Sequence, residues 1–397
     1  VGFPVVGFDA SVERVKSLEI GESYVGDISD DELARALAAG YRPTADPGDV
    51  DGFDVAVVSV PTPLRDGLPD LSSIEQAGAN LAKHLRPGAC VVLESTTYPG
   101  TTAELLGPIL SEGSGLAADE FFLGYSPERI DPGNPTHGLV NTPKVVSGST
   151  PEGLAVVDAF FSALVDETVP VGSCAEAELV KLLENTFRHV NIALVNVLAM
   201  FARDLDVDVR RAIDSAATKP FGYLKFSPGR GVGGHSLPIA PSYLAWRVKQ
   251  HLGHTFRFVE LANDVNEHMP DYVHDRVTAL LNRERKALNG SRVLLLGLAY
   301  KKATSDWRES PSVHVATRLK ASGAEVRFCD PYIADVNVQH LSDPLVPFSA
   351  EEMAAADLVV VLVDHPEFDP ATIAEHAPLV FDTKNLLQRH PFSGELL

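Results

Sequence analysis

Cysteine is scarce in this chain: Cys90, Cys174 and Cys329 are its three examples in 397 residues. None is spaced as CxxC or as a zinc-ligand set, so neither a disulfide framework nor a thiolate metal site is expected. Each thiol reads as a small buried hydrophobe in a reducing compartment. Basic charge is short as well, with 33 basic residues against 54 acidic ones and a formal net charge of −21. That balance argues against nucleic acid or an anionic membrane as partner, although a helix N-terminus and a few placed cations can still hold a phosphate. No apolar run is long enough to span a bilayer, and no signal peptide is visible. The expectation is a cytoplasmic protein of two or three domains, without a metal.

Short apolar runs alternate with amphipathic stretches in the first part of the chain. Strands are predicted at Pro4–Phe8, Asp54–Val60, Ala89–Leu93, Phe121–Tyr125, Lys144–Val146 and Thr168–Val171, and helices at Leu71–Leu85, Thr101–Leu110 and Pro151–Leu164. Strands separated by helices predict parallel βαβ units and a doubly wound sheet. A helical pattern then runs without interruption from Ala175 to Leu205, too long for a crossover. A helix of that length connects domains or forms a dimer spine. A second α/β unit opens at Arg292–Gly297, with a helix near Pro311–Ser322 and a strand Glu325–Phe328 that ends in Asp330.

The expected fold is α/β, with two Rossmann-like doubly wound domains, residues 1–174 and 286–397, joined by the long central helix and a small helical domain over 175–285. The segment ASGAEVRFCD in the second unit parallels the first residues of the chain, VGFPVVGFD, in glycine turn, strand and terminal aspartate. A strand and a helix precede that aspartate in the second unit and nothing does in the first. By this comparison about 25–30 upstream residues are expected to be missing, enough for a first strand, its glycine-rich loop and a helix.

Asp9 then ends the second strand of a nucleotide-binding unit. A carboxylate there accepts both ribose hydroxyls of adenosine and repels a 2′-phosphate, which favours NAD; a capping or loop acid is the plainer alternative. Val60-Pro61-Thr62-Pro63 and Glu94-Ser95-Thr96-Thr97 are polar turns at two further strand ends, where open α/β sheets bind ligands. Bland loop hydroxyls would give the same pattern. In YSPERIDPG, Tyr125 to Gly133, a glutamate after a strand can position or deprotonate water, or simply pair with Arg129. Lys181 and Asn185 share a helix face at four residues' spacing. Together they can stabilise an oxyanion and orient a sugar hydroxyl; taken alone, Lys181 is an exposed helix lysine. In YKKATSDWRESP, Lys301, Arg308 and a helix start at Ser310-Pro311 make a diphosphate and uridine cradle, or else a solvated basic loop. The loop GVGGHSLPIAP, Gly231 to Pro241, joins glycines that admit a ligand or another backbone to prolines that stiffen the turn. Gly229, Gly231 and Gly234 satisfy GxGxxG, but no apolar strand leads into them, so a dinucleotide fingerprint is rejected.

These segments resemble those of the nucleotide-sugar 6-dehydrogenases, the UDP-glucose/GDP-mannose dehydrogenase family. The resemblance runs from Asp9 to at least Asp382 and is carried by VPTP, STTYPGTT, YSPERIDPG, AELVKLLEN, ATKPFGYLKFSPG, the glycine–histidine loop and YKKATSDWRESP. It implies an NAD-dependent enzyme acting on a UDP-sugar, in the branch that oxidises UDP-glucose or UDP-N-acetylhexosamines. NAD contacts are implied at Asp9, Pro61, Thr62, Ser95 and Thr96, and a catalytic set of Glu128 as general acid/base, Lys181, Asn185, Thr96 and Ser236. Substrate contacts are implied at Glu128, Arg129, Lys181, Asn185, Phe226, Gly233, Lys301 and Arg308. The site is expected between the first and last domains, in a homodimer or larger homo-oligomer paired through the long helix.

In the family C6 of the sugar is oxidised twice, with the aldehyde trapped on a cysteine and the resulting thioester hydrolysed. Here Ser236 stands at the cysteine position and Ala240 at that of a neighbouring aspartate. A serine hydroxyl is a far weaker acid than a thiol and needs an adjacent base. His235 is its neighbour in sequence, but neighbours in an extended loop point apart. Three readings stay open: a dehydrogenase diverged to a two-electron oxidation or a redox-neutral epimerisation, a non-catalytic UDP-sugar binder, and an inactivated variant.

Overall fold

Cys90–Leu93 and Leu358–Val361 are buried at every position, as strands covered by helices on both faces must be. Each anchors one sheet in the computed structural model, which describes residues 2–25, 28–131, 134–234, 237, 239–307, 309–333 and 345–397. The chain divides into two units, Val1–Asn185 with Ile239–Thr255, and Thr186–Pro238 with Phe256–Leu397. Residues of the expected central segment, 175–285, are thus shared between both.

In the first unit the strands Val55–Val58, Cys90–Leu93, Phe122–Tyr125, Lys144–Gly148 and Thr168–Pro170 lie side by side in chain order. All pair in parallel except Phe122–Tyr125 with Lys144–Gly148, which run antiparallel. That departs from the uniform parallel pattern, for a physical reason. A parallel return needs a crossover, usually a helix, and the described residues between these two strands form none. Val91 and Leu93 face one way, onto Ile74, Leu106, Leu110 and Leu182; Cys90 and Val92 face the other, onto Val157 and Phe161. Val5–Phe8 and Tyr41–Thr44 form a separate parallel pair. The helix predicted at Thr101–Leu110 opens as a π-turn over Thr102–Leu106 and continues as the α-helix Gly107–Ser114.

In the second unit Glu325–Cys329, Arg292–Leu296, Leu358–Val361, Val380–Asp382 and Gly394–Leu396 pair in that order, all parallel. The order reverses at Arg292–Leu296, which makes the sheet doubly wound. Val293 and Leu295 pack with Val273, Val277, Val315 and Leu319, while Leu294 and Leu296 pack with Met353 and Ile373.

The long helix, predicted at Ala175–Leu205, spans Cys174–Asp204. Leu183, Phe187, Leu194, Leu198 and Phe201 on it, and Leu205 just beyond, are exposed. At 100° per residue they fall within about 60° of arc, a single apolar stripe. All three cysteines are buried; burial pushes the Cys90 and Cys329 thiols up to about 12 and Cys174 up to about 11. No helix among the described residues is long and apolar enough to cross a membrane.

The strand Gly394–Leu396 is fastened by Glu395, whose carboxylate accepts from Arg203, Arg276 and Arg283. Burial opposes its charge, but the guanidinium groups prevail and bring its pKa down from 4.5 to about 2. Its stabilising effect is therefore complete above the unfolded value of 4.5 and fades as the pH falls towards about 2. Glu395→Gln should lower the unfolding free energy by roughly 2 kcal/mol near neutral pH and by less than half that at about pH 3. Urea titrations of both proteins check this; an equal loss at the two pH values would sink it.

Candidate active site

Three parallel strands of the first unit, Val55–Val58, Cys90–Leu93 and Phe122–Tyr125, end side by side. Hydrogen bonds tie the turns beyond them together. Thr62 Oγ1 donates to Thr96 O at 2.7 Å, Ser95 Oγ to Val60 O at 2.8 Å, and Tyr125 O–H to Ser95 O at 3.2 Å. The hydroxyls of Thr62 and Ser95 thus shape the turns themselves. The Thr96 hydroxyl is half-buried and makes no hydrogen bond among the described residues, and Pro61 lies exposed. Asp9 follows the strand Val5–Phe8 directly; its Oδ1 accepts from Ser11 N–H at 2.8 Å and Oδ2 lies 3.5 Å from Arg14. The local role of a loop acid, left open by the sequence, is present there, and Ser11 is the cap of the helix that follows.

On the long helix, Glu178, Lys181 and Asn185 recur at three and then four residues, so they share one face. Glu178 is fully buried. Its carboxylate accepts from Gly100 N–H at 2.6 Å, Thr102 N–H at 2.8 Å and the Thr102 hydroxyl at 2.6 Å, and so pins the start of the π-turn. Sequence reasoning missed it, although its helical spacing from Lys181 was available. Lys181 is half-buried rather than solvated. Burial holds its pKa below the usual lysine value, while Glu184 and Glu128 pull it back up. The Asn185 Nδ2 is buried and finds no acceptor among the described residues.

Glu128 accepts from Ile130 N–H at 2.5 Å through Oε1, and its Oε2 lies 3.7 Å from Lys144 Nζ. Arg129 turns elsewhere, to Glu184 at 2.6 Å and Pro143 O at 2.5 Å, so it is not the partner of Glu128. Lys144 and its partner Glu94 were not singled out from sequence. Ala240 is fully buried in the apolar cluster that holds Leu71, Leu93 and Tyr243. Ser236 and His235 lie outside the described residues.

In the second unit the strand order reverses between Arg292–Leu296 and Leu358–Val361, and open α/β sheets bind ligands beyond such strand ends. Arg230 fills part of that place. It is 4% exposed, and its guanidinium donates to Leu362 O, to Ala299 O at 2.8 Å, to Tyr300 O at 3.2 Å and to Ser312 Oγ at 2.6 Å. Burial lowers its pKa to about 10. The glycines that follow admit protein backbone. Gly231 has φ +115°, and a Cβ on it would fall 2.7 Å from Asn266 O. One on Gly233 would lie 2.6 Å from Glu309 O and from Pro311. Among the described residues no strand leads into this loop, in keeping with its rejection as a dinucleotide fingerprint.

Asp330 turns back on its own unit, accepting from the N–H groups of Leu298 and Ala299 at 2.8 and 2.9 Å and lying 3.1 Å from His365 Nε2. Ser310 caps the helix Pro311–Ala321, as expected. Phe226 meets Phe187 edge-on at 5.8 Å between centroids, and Lys301 is half-buried. Arg308 lies outside the described residues.

Removing the Glu178 carboxylate leaves three donors without acceptors. Glu178→Ala should lower the unfolding free energy by roughly 3 kcal/mol, and Glu178→Gln by less, because an amide oxygen can still accept. Chemical denaturation of the three proteins tests this, and an unchanged midpoint for the alanine variant would remove Glu178 as the anchor.

Comparison with known proteins places this geometry in a family. Residues 1–165 match the NAD binding domain of the UDP-glucose/GDP-mannose dehydrogenase family, residues 175–268 its central domain and residues 294–389 its UDP binding domain. A UDP-N-acetyl-D-glucosamine 6-dehydrogenase of Pseudomonas aeruginosa is 34% identical over 367 residues, covering 92% of this chain and 86% of that protein. Protein CapL of Staphylococcus aureus is 33% identical, over 96% of this chain and 91% of its own length. The solved structure of a UDP-D-ManNAc dehydrogenase from Pyrococcus horikoshii superposes with a TM-score of 0.89 at 31% identity, covering 99% of this chain and 93% of that one. The three family domains thus match in order along most of the sequence, and the chain belongs to the UDP-glucose/GDP-mannose dehydrogenase family.

Proposed function

We propose that the chain oxidises an alcohol carbon of a UDP-N-acetylhexosamine or UDP-hexose, with Glu128 taking the proton and Lys181 and Asn185 holding the reacting oxygen. The observation that carries the reading is the buried Asn185 Nδ2 without an acceptor, four residues from a lysine whose charge is disfavoured by burial. A native fold leaves a buried donor unpaired at a cost of about 1–3 kcal/mol, which a bound hydroxyl or oxyanion would offset. NAD, the family's cofactor, supplies the hydride acceptor when bound, and Asp9 and the turns bearing Pro61, Thr62, Ser95 and Thr96 are the residues to hold it. Glu128 would accept the proton released from the sugar hydroxyl, and Lys181 and Asn185 would hold the oxygen as its charge grows. Phe226, Gly233, Lys301 and Arg308 would complete the nucleotide-sugar contacts. Residues 1–174, 175–285 and 286–397 would serve the cofactor, the subunit contact and the UDP group in turn.

The absence of a thiol at position 236 favours a reaction that stops at the carbonyl. None of the three cysteines can take over, because burial holds every thiol far from its thiolate. NADH formed per UDP-sugar consumed, with mass analysis of the products, tests this directly. One NADH and a carbonyl sugar are expected. Two NADH and a uronate would mean that oxidation proceeds without the covalent step. An altered sugar with no NADH would point to epimerisation. Silence restored by Ser236→Cys, alone or with Ala240→Asp, would mark a disabled dehydrogenase, and silence throughout would favour a binding protein.

The exposed stripe from Leu183 to Leu205 supports pairing of two copies along the long helix, since so continuous an apolar face seldom stays in water. Sedimentation should find a dimer for the parent chain and a monomer for Leu194→Glu/Phe201→Glu. A monomeric parent would end this reading.

A further inference from the structure

Lys144 begins the strand Lys144–Gly148, and its side chain is only 3% exposed. Its ammonium is bonded to Glu94 Oε1, donates to Pro127 O at 3.2 Å, lies 3.7 Å from Glu128 Oε2 and sits 5.1 Å from the centre of the Phe161 ring. Glu94 follows the strand Cys90–Leu93 directly and precedes Ser95 and Thr96. Glu128 lies just beyond the strand Phe122–Tyr125. One buried cation therefore spans two neighbouring strand ends, the first leading into the Ser95–Thr96 turn and the second into the Glu128 turn.

Packing alone does not account for a lysine here. An apolar side chain would fill the same space without the desolvation penalty of an ammonium, and a buried cation persists only where carboxylates match it. Glu94 supplies that match. Burial holds the Glu94 carboxyl above its usual value, and the ammonium offsets that rise only in part. Glu128 then stands as a third charge beside a pair that is already neutral, with its side chain 42% exposed and open to ligand. Among the described residues, the charged groups around it include Lys144 on its strand, Glu94 at the adjoining strand end, Lys181 on the long helix, and Arg129, which is turned to Glu184.

We propose that Glu94 and Lys144 are positioning residues that hold Glu128 as an oriented proton acceptor. Glu94 fixes the ammonium, the ammonium fixes Oε2, and Ile130 N–H fixes Oε1. The arrangement also settles what happens on proton uptake. Glu94, Lys144 and Glu128 together carry one net negative charge, and a proton arriving on Glu128 brings the group to neutrality. No uncompensated buried ion is created, because Lys144 keeps Glu94. This inference rests on Glu128 being the acid/base group of the site.

The test is the titration of Glu128 itself, followed by carbon-13 carboxyl NMR of labelled protein without substrate, the resonance being assigned by its loss in Glu128→Gln. In Glu94→Gln/Lys144→Met, which removes a neutral pair and so spares the fold an orphaned charge, the Glu128 midpoint should rise by about one pH unit. In Glu94→Gln alone it should fall, since a repelling carboxylate is lost and the cation remains. Midpoints that stay put in both variants, or move in the same direction, would overturn the proposal. The acid limb of NADH formation is measured in parallel. If the titration moves as expected and the rate profile does not, the role of Glu128 in the reaction fails, while its control by Lys144 stands.

Discussion

A carboxylate that water cannot reach stays in a fold only where donors converge on it, and Glu178 shows what that convergence organises. Its three hydrogen bonds go to Gly100 and Thr102, where the chain leaves the Ser95–Thr96 turn and enters the π-turn. The same carboxylate sits one turn before Lys181 on the long helix. The turn with the uncommitted Thr96 hydroxyl and the helix face with the uncommitted Asn185 amide are therefore registered by a single buried group. Burial works against its charge, and the donors from Thr102 and Gly100 work for it.

The second unit treats a similar topology in the opposite way. Its strand ends at the reversal point are closed by protein groups: Arg230 against Leu362, Ala299 and Tyr300, and Asp330 against the amides of Leu298 and Ala299. Among the described residues that cation is bonded to carbonyls and one hydroxyl, so its charge has no bonded counter-ion there. Asp364 and Asp330 act on it at longer range.

Much of this was legible in the residues. Apolar runs such as Ala89–Leu93 and Arg292–Gly297 announced central strands because both faces of a parallel sheet are buried, and the long helix was foreseen to within a residue at each end. Other elements gave weaker signals. Arg257–Arg283 carries Pro270 in its interior, which removes a helical hydrogen bond and masks the pattern. Gly394–Leu396 is short, and what secures it is a carboxylate meeting three arginines distant in sequence. The chemistry divided along the same line. Glu128, Lys181 and Asn185 stand in motifs, whereas Glu94, Lys144 and Glu178 are ordinary charged residues in sequence. A lysine at the start of a strand or an acid on a helix is read by default as solvated. Only the fold shows that Lys144 is matched to Glu94, and Glu178 to the donors of Gly100 and Thr102.

The burial of every cysteine has a practical side as well. A thiol reacts as its thiolate, and burial keeps all three here in the neutral form at ordinary pH. To electrophilic dyes and spin labels, the native protein is a nearly silent background. One cysteine introduced on any exposed loop would become a unique attachment point, with no need to strip the chain of its own sulfur first. Distances between domains, and between subunits should they pair, then become directly measurable by spectroscopy in the working protein.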